Sequence, residues 1–179
     1  MCIDYRQLNS NTVKDSFPLP RIEELLHRLQ GARVFSKLDL RDGYHQISVK
    51  RDARDKTAFL CRYGSYEWQV LPMGLCNAPS TFQRIMNQVF WDLLDTGVLV
   101  YLDDIFIYSR TEADHKKLLE EVFRRLQKYK LYLKASKCNL FLEKVSFLGH
   151  IVSAEGLSVD PSKIDVVGTW PTPRSVKEV

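Results

Sequence analysis

Two adjacent carboxylates, Asp103 and Asp104, interrupt a strongly apolar run of the chain, GVLVYLDDIFIYS. Acids in such a place either decorate a solvated turn or hold a cation. The flanks VLVY and IFIYS are rich in β-branched and aromatic residues and have the length of two strands joined by a tight turn, which puts both acids at a hairpin tip. A third carboxylate, Asp39, sits between Leu38 and Leu40 in VFSKLDLRDGYHQI, inside an otherwise apolar strand where an unpaired charge is costly. Either a local partner such as Lys37 or Arg41 offsets that cost, or a divalent cation shared with other carboxylates does. If the strand of Asp39 runs beside the hairpin, three carboxylates converge, and their repulsion favours a hard cation such as Mg²⁺. Two such ions about 3.5 to 4 Å apart form the clamp that serves phosphoryl and nucleotidyl transfer.

The elements that must position these acids are legible in outline. PLPRIEELLHRLQG predicts a short helix with Pro20 at its start and Gly31 at its stop. ARVFSKLDL and YHQISVK read as strands separated by RDG, and AFLCRYGSYEWQVLPMGL as a hairpin turning at YGS. APSTFQRIMNQVFWDLLDTG predicts an amphipathic helix closed by Gly97. TEADHKKLLEEVFRRLQKYK predicts another, with Leu118, Leu119, Val122, Phe123 and Leu126 on one stripe. Short strands follow at LYL, CNLF and VSFLGHIVS, and the Pro-punctuated tail VDPSKIDVVGTWPTPRSVKEV reads as the start of something else. Antiparallel strands with two packing helices make the fold class α+β.

Composition narrows the function classes. A chain of 179 residues, 45% hydrophobic and 27% charged, suffices for one domain with a real core, which excludes disordered and fibrous classes. No apolar run is long enough to span a membrane, and MCIDYRQLN lacks a secretory pattern, so an intracellular protein without a membrane partner is expected. Cys2, Cys61, Cys76 and Cys138 are widely spaced, which predicts buried reduced thiols and neither a disulfide nor a structural zinc. From Thr111 to Lys144, nine Lys or Arg stand against five Asp or Glu, an excess equal to the whole net charge of +4. That stretch is either a solvated helix face or a surface for a polyanion.

The ordered set MCIDYRQLN, FSKLDLRDGYHQI, LPMGLCNAPSTFQ, YLDDIFIYS, LKASKC and FLGHIVS resembles the reverse transcriptase of gypsy-type LTR retrotransposons and, more distantly, of retroviruses. The resemblance covers nearly the whole chain. It implies a polymerase palm, an antiparallel sheet packed on two helices, with partial fingers over residues 1–157, and the start of the palm-to-thumb connection over 158–179. It implies an RNA-directed DNA polymerase from a Pol polyprotein, with two Mg²⁺ ions, or Mn²⁺ as a substitute. The expected partners are a primed RNA or DNA template, deoxynucleoside triphosphates, and the thumb, connection and RNase H portions of the polyprotein.

Residue by residue, the resemblance makes Asp39, Asp103 and Asp104 the metal-binding triad, with the Leu40 carbonyl completing one shell. Tyr44 matches the aromatic residue under the sugar of the incoming nucleotide; by its setting alone it is a core aromatic beside a Gly turn. Met73 and Gly74 fall near the nascent base pair and Gln83 on the helix that follows, with Gly74 and Gln83 expected to contact the template or primer. Met73 is apolar where retroviral enzymes carry a polar residue, so packing is the most it contributes. Lys137 matches a lysine that protonates the leaving pyrophosphate, with Lys134 close enough to compete. Phe147, Leu148, Gly149 and His150 match the hairpin that grips the primer end, and Arg6 a fingers arginine that touches the template. The family's upstream fingers and its thumb have no counterpart in these residues, so the chain reads as a fragment with Met1 inside the fingers block. Two rival readings remain: a noncatalytic RNA-binding remnant of a retroelement, and an RNA-templated RNA polymerase, which fits poorly with an aromatic at Tyr44.

Overall fold

The structure is a computed structural model that describes residues 3–18, 20–169 and 175. In chain order its elements are α1 (Arg6–Asn11), α2 (Ile22–Arg28), β1 (Val34–Asp39), β2 (Phe59–Cys61), β3 (Gly64–Tyr66), α3 (Ala78–Val89), β4 (Val98–Tyr101), β5 (Asp104–Ser109), α4 (Glu112–Lys128), β6 (Asn139–Leu142), β7 (Lys144–Phe147), β8 (His150–Ser153), β9 (Gly156–Val159) and α5 (Pro161–Gly168). Of the expected connection segment, residues 170–174 and 176–179 lie outside the described residues.

Side chains alternate across a strand, so one sheet can bury two different faces. The central antiparallel sheet has the order β4-β5-β1-β6, and its register pairs Leu38 with Ile105, Asp39 with Asp104 and Val100 with Ile105. One face carries Leu38, Val98, Val100, Ile105 and Ile107, which pack against Phe82, Met86 and Val89 of α3 and Leu119, Val122 and Leu126 of α4. The opposite face carries Phe35, Leu99 and Phe106, covered by Leu25 and Leu26 of α2 and by Val145, Phe147 and Val152 of the β7–β8 hairpin. Each fully buried Leu, Ile or Phe contributes about 1.5–3 kcal/mol of transfer free energy, which makes this double-sided core the main source of stability. The YLDD hairpin is thereby clamped between two apolar layers, with only its tip outside them. The α+β expectation holds, with helices on one face of the sheet and a helix and hairpin on the other.

The helices have physical ends. At the start of α4, Thr111 accepts the Asp114 N–H, Glu112 and Asp114 occupy the first turn, and Arg125 and Lys128 the last, in keeping with the helix dipole. Its buried stripe is His115, Leu119, Val122 and Leu126, whereas Phe123, expected on it, is 39% exposed. The α3 helix begins with Pro in its first turn and stops at Val89, not at Gly97. The chain instead turns through Asp95, at φ 68°, and Gly97, at φ 149°, to enter β4.

Other expectations are corrected. YHQISVK is not a strand: Asp42 takes a left-handed conformation at φ 48°, and Gly43–Gln46 forms a 3₁₀ turn. Gln46 holds that turn by accepting the Tyr132 N–H at 2.7 Å and donating to the Tyr132 carbonyl at 3.0 Å. Of LYL, only Leu133 bridges, to Leu40. The β2–β3 hairpin turns at Arg62 and Tyr63. The thiols of Cys61, Cys76 and Cys138 are free, but none is buried, and Cys61 is exposed. No helix among the described residues is long and apolar enough to cross a membrane.

Candidate active site

The tip of the β4–β5 hairpin is built around a strained residue. Leu102 sits at φ 54°, a region that costs a branched side chain on the order of 1–3 kcal/mol and persists only where surroundings enforce it. The enforcing group is Gln83, fully buried on α3. Its Oε1 accepts the Leu102 N–H at 2.8 Å, and its Nε2 donates to the Val100 carbonyl at 3.0 Å and to Asn87 Oδ1 at 2.9 Å. Gln83 was expected to meet a template strand; its complete burial gives it the role of a strut beneath the turn instead.

Beside the tip, the chain after Asp39 passes so close that only glycine fits without displacement. A methyl on Gly43 meets Phe82 Cζ at 3.2 Å and Asp103 Cβ at 3.5 Å. The next residue, Tyr44, packs its ring on Phe82 with centroids 5.1 Å apart. Burial, and secondarily the charge of Asp103, push the Tyr44 phenol above its ordinary pKa. These contacts frame an open cavity of about 670 Å³ whose lining includes Asp39, Leu40, Arg41, Asp42, Tyr44, Met73, Asp103, Lys134 and Lys137. Positions that the sequence separates by up to about a hundred residues thus share one cavity.

The three carboxylates are neighbours but not equivalent. Asp39 and Asp104 are direct partners across β1 and β5. Asp39 and Asp103 line the cavity, as does Asp42; Asp104 does not, and its Oδ2 is 2.8 Å from Lys37 Nζ. Lys137 Nζ lies 3.6 Å from Asp39 Oδ2. Lys37, named from sequence as a local partner for Asp39, therefore serves Asp104, and Lys137 takes the place beside Asp39. The donors are hard oxygens around an open, polar space, which suits Mg²⁺ or Mn²⁺ by type. As the side chains stand, no three His, Cys, Asp or Glu among the described residues are grouped closely enough to hold an ion.

Other sequence-predicted residues fall elsewhere. Arg6 projects into solvent and is held by Asp4 at 2.6 Å. Gly74, at φ 99°, faces the Tyr5 ring, and its carbonyl accepts from Asn9 Nδ2 at 2.8 Å, so it joins the N-terminal segment to the loop before α3. Phe147 is buried on Phe106, ring centroids 4.2 Å apart, and is a core residue rather than a contact surface. Leu148 and Gly149 form the positive-φ turn that follows, and His150 opens β8 half-buried; none of them lines the cavity. Sequence reasoning missed Lys37 as the Asp104 partner, Gly43, and the strut role of Gln83.

The basic stretch resolves into two parts. Arg125 forms a bidentate pair with Asp92, both bonds 2.6 Å, and also binds Glu121, which Arg124 shares. The guanidinium of Arg125 holds the Asp92 carboxyl down at about 2. Lys134 and Lys137, in contrast, face the cavity.

A sequence model of the reverse transcriptase (RNA-dependent DNA polymerase) family matches residues 1–152. The chain is 40% identical over 177 residues to the retrovirus-related Pol polyprotein from transposon 297 of Drosophila melanogaster, covering 99% of this chain and 17% of that protein. It is 36% identical over 179 residues to the transposon Tf2-3 polyprotein of Schizosaccharomyces pombe, covering 100% of this chain and 13% of that one. The chain thus spans less than a fifth of these relatives' length. Among solved structures, it superposes on a foamy viral protease-reverse transcriptase in complex with RNA/DNA hybrid, with TM-score 0.88 and 26% identity over 98% of this chain and 24% of that one. The same viral protein in complex with double-stranded DNA gives TM-score 0.90 at 26% identity, covering 99% of this chain and 37% of that one. With the matched profile spanning most of its residues, the chain belongs to the reverse transcriptase family.

Proposed function

We propose that the chain is the palm and partial fingers of an RNA-directed DNA polymerase, which adds deoxynucleotides to a primer 3′ end on an RNA or DNA template. The observation that carries this reading is the convergence of Asp39, Tyr44, Asp103 and Lys137 on one cavity at the strained YLDD tip. A solvated turn has no need of a buried glutamine strut or a phenylalanine-backed tyrosine. The structural neighbours that hold an RNA/DNA hybrid and double-stranded DNA support a nucleic-acid duplex as the partner, and the polyprotein relatives support further Pol segments.

Asp39, Asp103 and the Leu40 carbonyl would hold divalent cations, with Asp104 alongside. Bound there, such ions supply neutralisation of the charge that develops on the attacking and leaving oxygens. The chain's own groups do the rest. Lys137, which faces the cavity beside Asp39, would give a proton to the departing pyrophosphate. Tyr44, fixed by Phe82, presents a rigid ring where the sugar of the incoming nucleotide would lie. The pairing of Arg124 and Arg125 with acids leaves α4 a weaker polyanion surface than its sequence suggests, which speaks against a remnant that binds RNA through that helix.

Primer extension on a primed RNA template with deoxynucleotides tests the reading, using this chain and the same chain joined to the flanking segments of a related polyprotein. Mg²⁺-dependent extension abolished by Asp103→Asn is the expected result. Template binding with no extension in either form, unchanged by Asp103→Asn, would leave the noncatalytic reading standing.

A further inference from the structure

Lys37 lies two residues before Asp39 on β1 and therefore on the same face of the sheet. Its cross-strand partner is Phe106, while the partner of Asp39 is Asp104. The lysine stem spans that diagonal: its ammonium lies 5.4 Å from the Phe106 centroid and 2.8 Å from Asp104 Oδ2. Both side chains are only about a quarter exposed, at 28% and 27%. Phe106 is itself buried and pinned by Phe147. The Lys37 head thus rests on a fixed aromatic floor and has one carboxylate in reach. By comparison Lys137 is looser, with 58% of its side chain exposed and 3.6 Å to Asp39. Asp103 makes no ion pair among the described residues.

We propose that Lys37 is a positioning residue: a resident cation that holds the Asp104 carboxylate on the sheet face and out of the cavity, so that a divalent ion recruits Asp104 only by displacing the ammonium. The inference rests on the metal reading of the site given above and specifies its order of assembly. Asp39 and Asp103 are the ligands at hand, and Asp104 joins in exchange for Lys37. In the metal-free protein the lysine relieves the repulsion between the paired acids Asp39 and Asp104, which would otherwise oppose folding. Once a divalent ion neutralises the same acids, that service is redundant and the lysine competes with the ion.

Charge and metal affinity therefore move in opposite directions when Lys37 is altered. Lys37→Met should lower the thermal midpoint in chelator-treated buffer and tighten Mn²⁺ binding by roughly two- to fivefold, the scale of a partly exposed ion pair. Lys37→Arg keeps the cation and should bind Mn²⁺ as the parent does. In an Asp104→Asn background, Lys37→Met should leave Mn²⁺ affinity unmoved, because the competition runs through Asp104. The measurement is free Mn²⁺ by electron paramagnetic resonance on the intact chain, which needs no turnover. Mn²⁺ affinity unchanged or weakened in Lys37→Met, while the parent's binding is lost in Asp39→Asn and Asp103→Asn, would overturn the role of Lys37 and spare the metal site. Parent binding indifferent to Asp39→Asn and Asp103→Asn would overturn both.

Discussion

The Oε1 of Gln83 accepts the backbone N–H of Leu102 at 2.8 Å, so a buried amide on α3 sets the one positive-φ residue of the YLDD turn. The same side chain donates to the Val100 carbonyl at the end of the incoming strand. Gln83→Leu keeps the volume but leaves a turn N–H and a strand carbonyl without partners. The expected loss is about 2–4 kcal/mol, from a buried carbonyl at about 1–3 kcal/mol and a half-buried N–H toward the low end of that range. Gln83→Glu keeps the acceptor for Leu102 and should fall between. Urea unfolding of the three proteins checks the order; equal stability of Gln83→Leu and the parent would show that the strut carries no weight.

Gly43 separates Phe82 from Asp103, and a methyl there meets Phe82 Cζ at 3.2 Å. Phe82 is fully buried among core side chains and has little room to give. Gly43→Ala should therefore destabilise by about 1–3 kcal/mol, the range for overpacking a tight site. Asp103 Cβ, at 3.5 Å, would be in ordinary van der Waals contact and need not move. Calorimetry reads this loss, and Mn²⁺ binding should stay close to that of the parent. A Gly43→Ala protein as stable as the parent would mean that the wall yields freely.

His115 of α4 is fully buried against the sheet, within reach of Ser36 on β1 and Ser109 on β5. Ser109 Oγ donates to the Thr111 carbonyl at 2.9 Å, so His115 Nδ1, 3.0 Å away, carries the proton and donates to Ser109. Nε2 then accepts from the Ser36 hydroxyl at 2.7 Å, and Ser36 in turn accepts the Phe141 N–H. The network is complete with a neutral ring, and burial lowers the His115 pKa below its ordinary 6.5. The unfolded chain thus takes up a proton near pH 6.5 that the folded chain refuses. Stability is full above that pH and declines as pH falls through it, levelling only below the folded value. His115→Gln should be less stable at pH 7.5 and should lose this contribution to the slope between pH 7.5 and 5.5. Thermal midpoints of the two proteins that fall in parallel over that range would contradict it.

Local signals carried the fold as far as they act locally. The hairpin around Asp103 was legible because β-branched and aromatic residues flank a polar pair, and α4 because its apolar residues recur at helical spacing. Its fourth stripe member escaped because it is a histidine: positions 115, 119, 122 and 126 keep the period, yet His115 reads as polar. What no window could show was pairing at a distance. β6 lies beside β1 through Phe35 with Leu142 and Lys37 with Asn139. The 3₁₀ turn at Gly43–Gln46 is held from Tyr132. At the site, three carboxylates were foreseen and their neighbourhood is real. Which lysine serves which acid was not, since Lys37 reaches diagonally across strands and Lys137 arrives from a distant loop. Gln83 was matched to a template or primer contact through the resemblance, and only its own complete burial reverses that reading.

Tyr44 gives the sharpest test of the proposed polymerase. A DNA and an RNA polymerase can share every carboxylate, because both transfer the same kind of phosphoryl group; what separates them is room for the sugar's 2′-hydroxyl. The Tyr44 ring lines the cavity with Asp39 and Asp103 and is backed by Phe82 at 5.1 Å, so it cannot retreat without disturbing the core. Tyr44→Val removes the ring and leaves the carboxylates in place. Ribonucleotide incorporation should rise relative to deoxynucleotide, read as the ratio of kcat/KM values, by about 10-fold or more if one steric contact of a few kcal/mol is lost. Mn²⁺ binding should be unchanged, which separates sugar selection from damage to the site. Tyr44→Phe keeps the ring and should keep the selectivity, since the phenol oxygen plays no part in the exclusion. If Tyr44→Val polymerises with the parent's ratio, the ring only packs, and the sugar must be selected by another wall of the cavity, where the exposed side chain of Met73 is the next group in line.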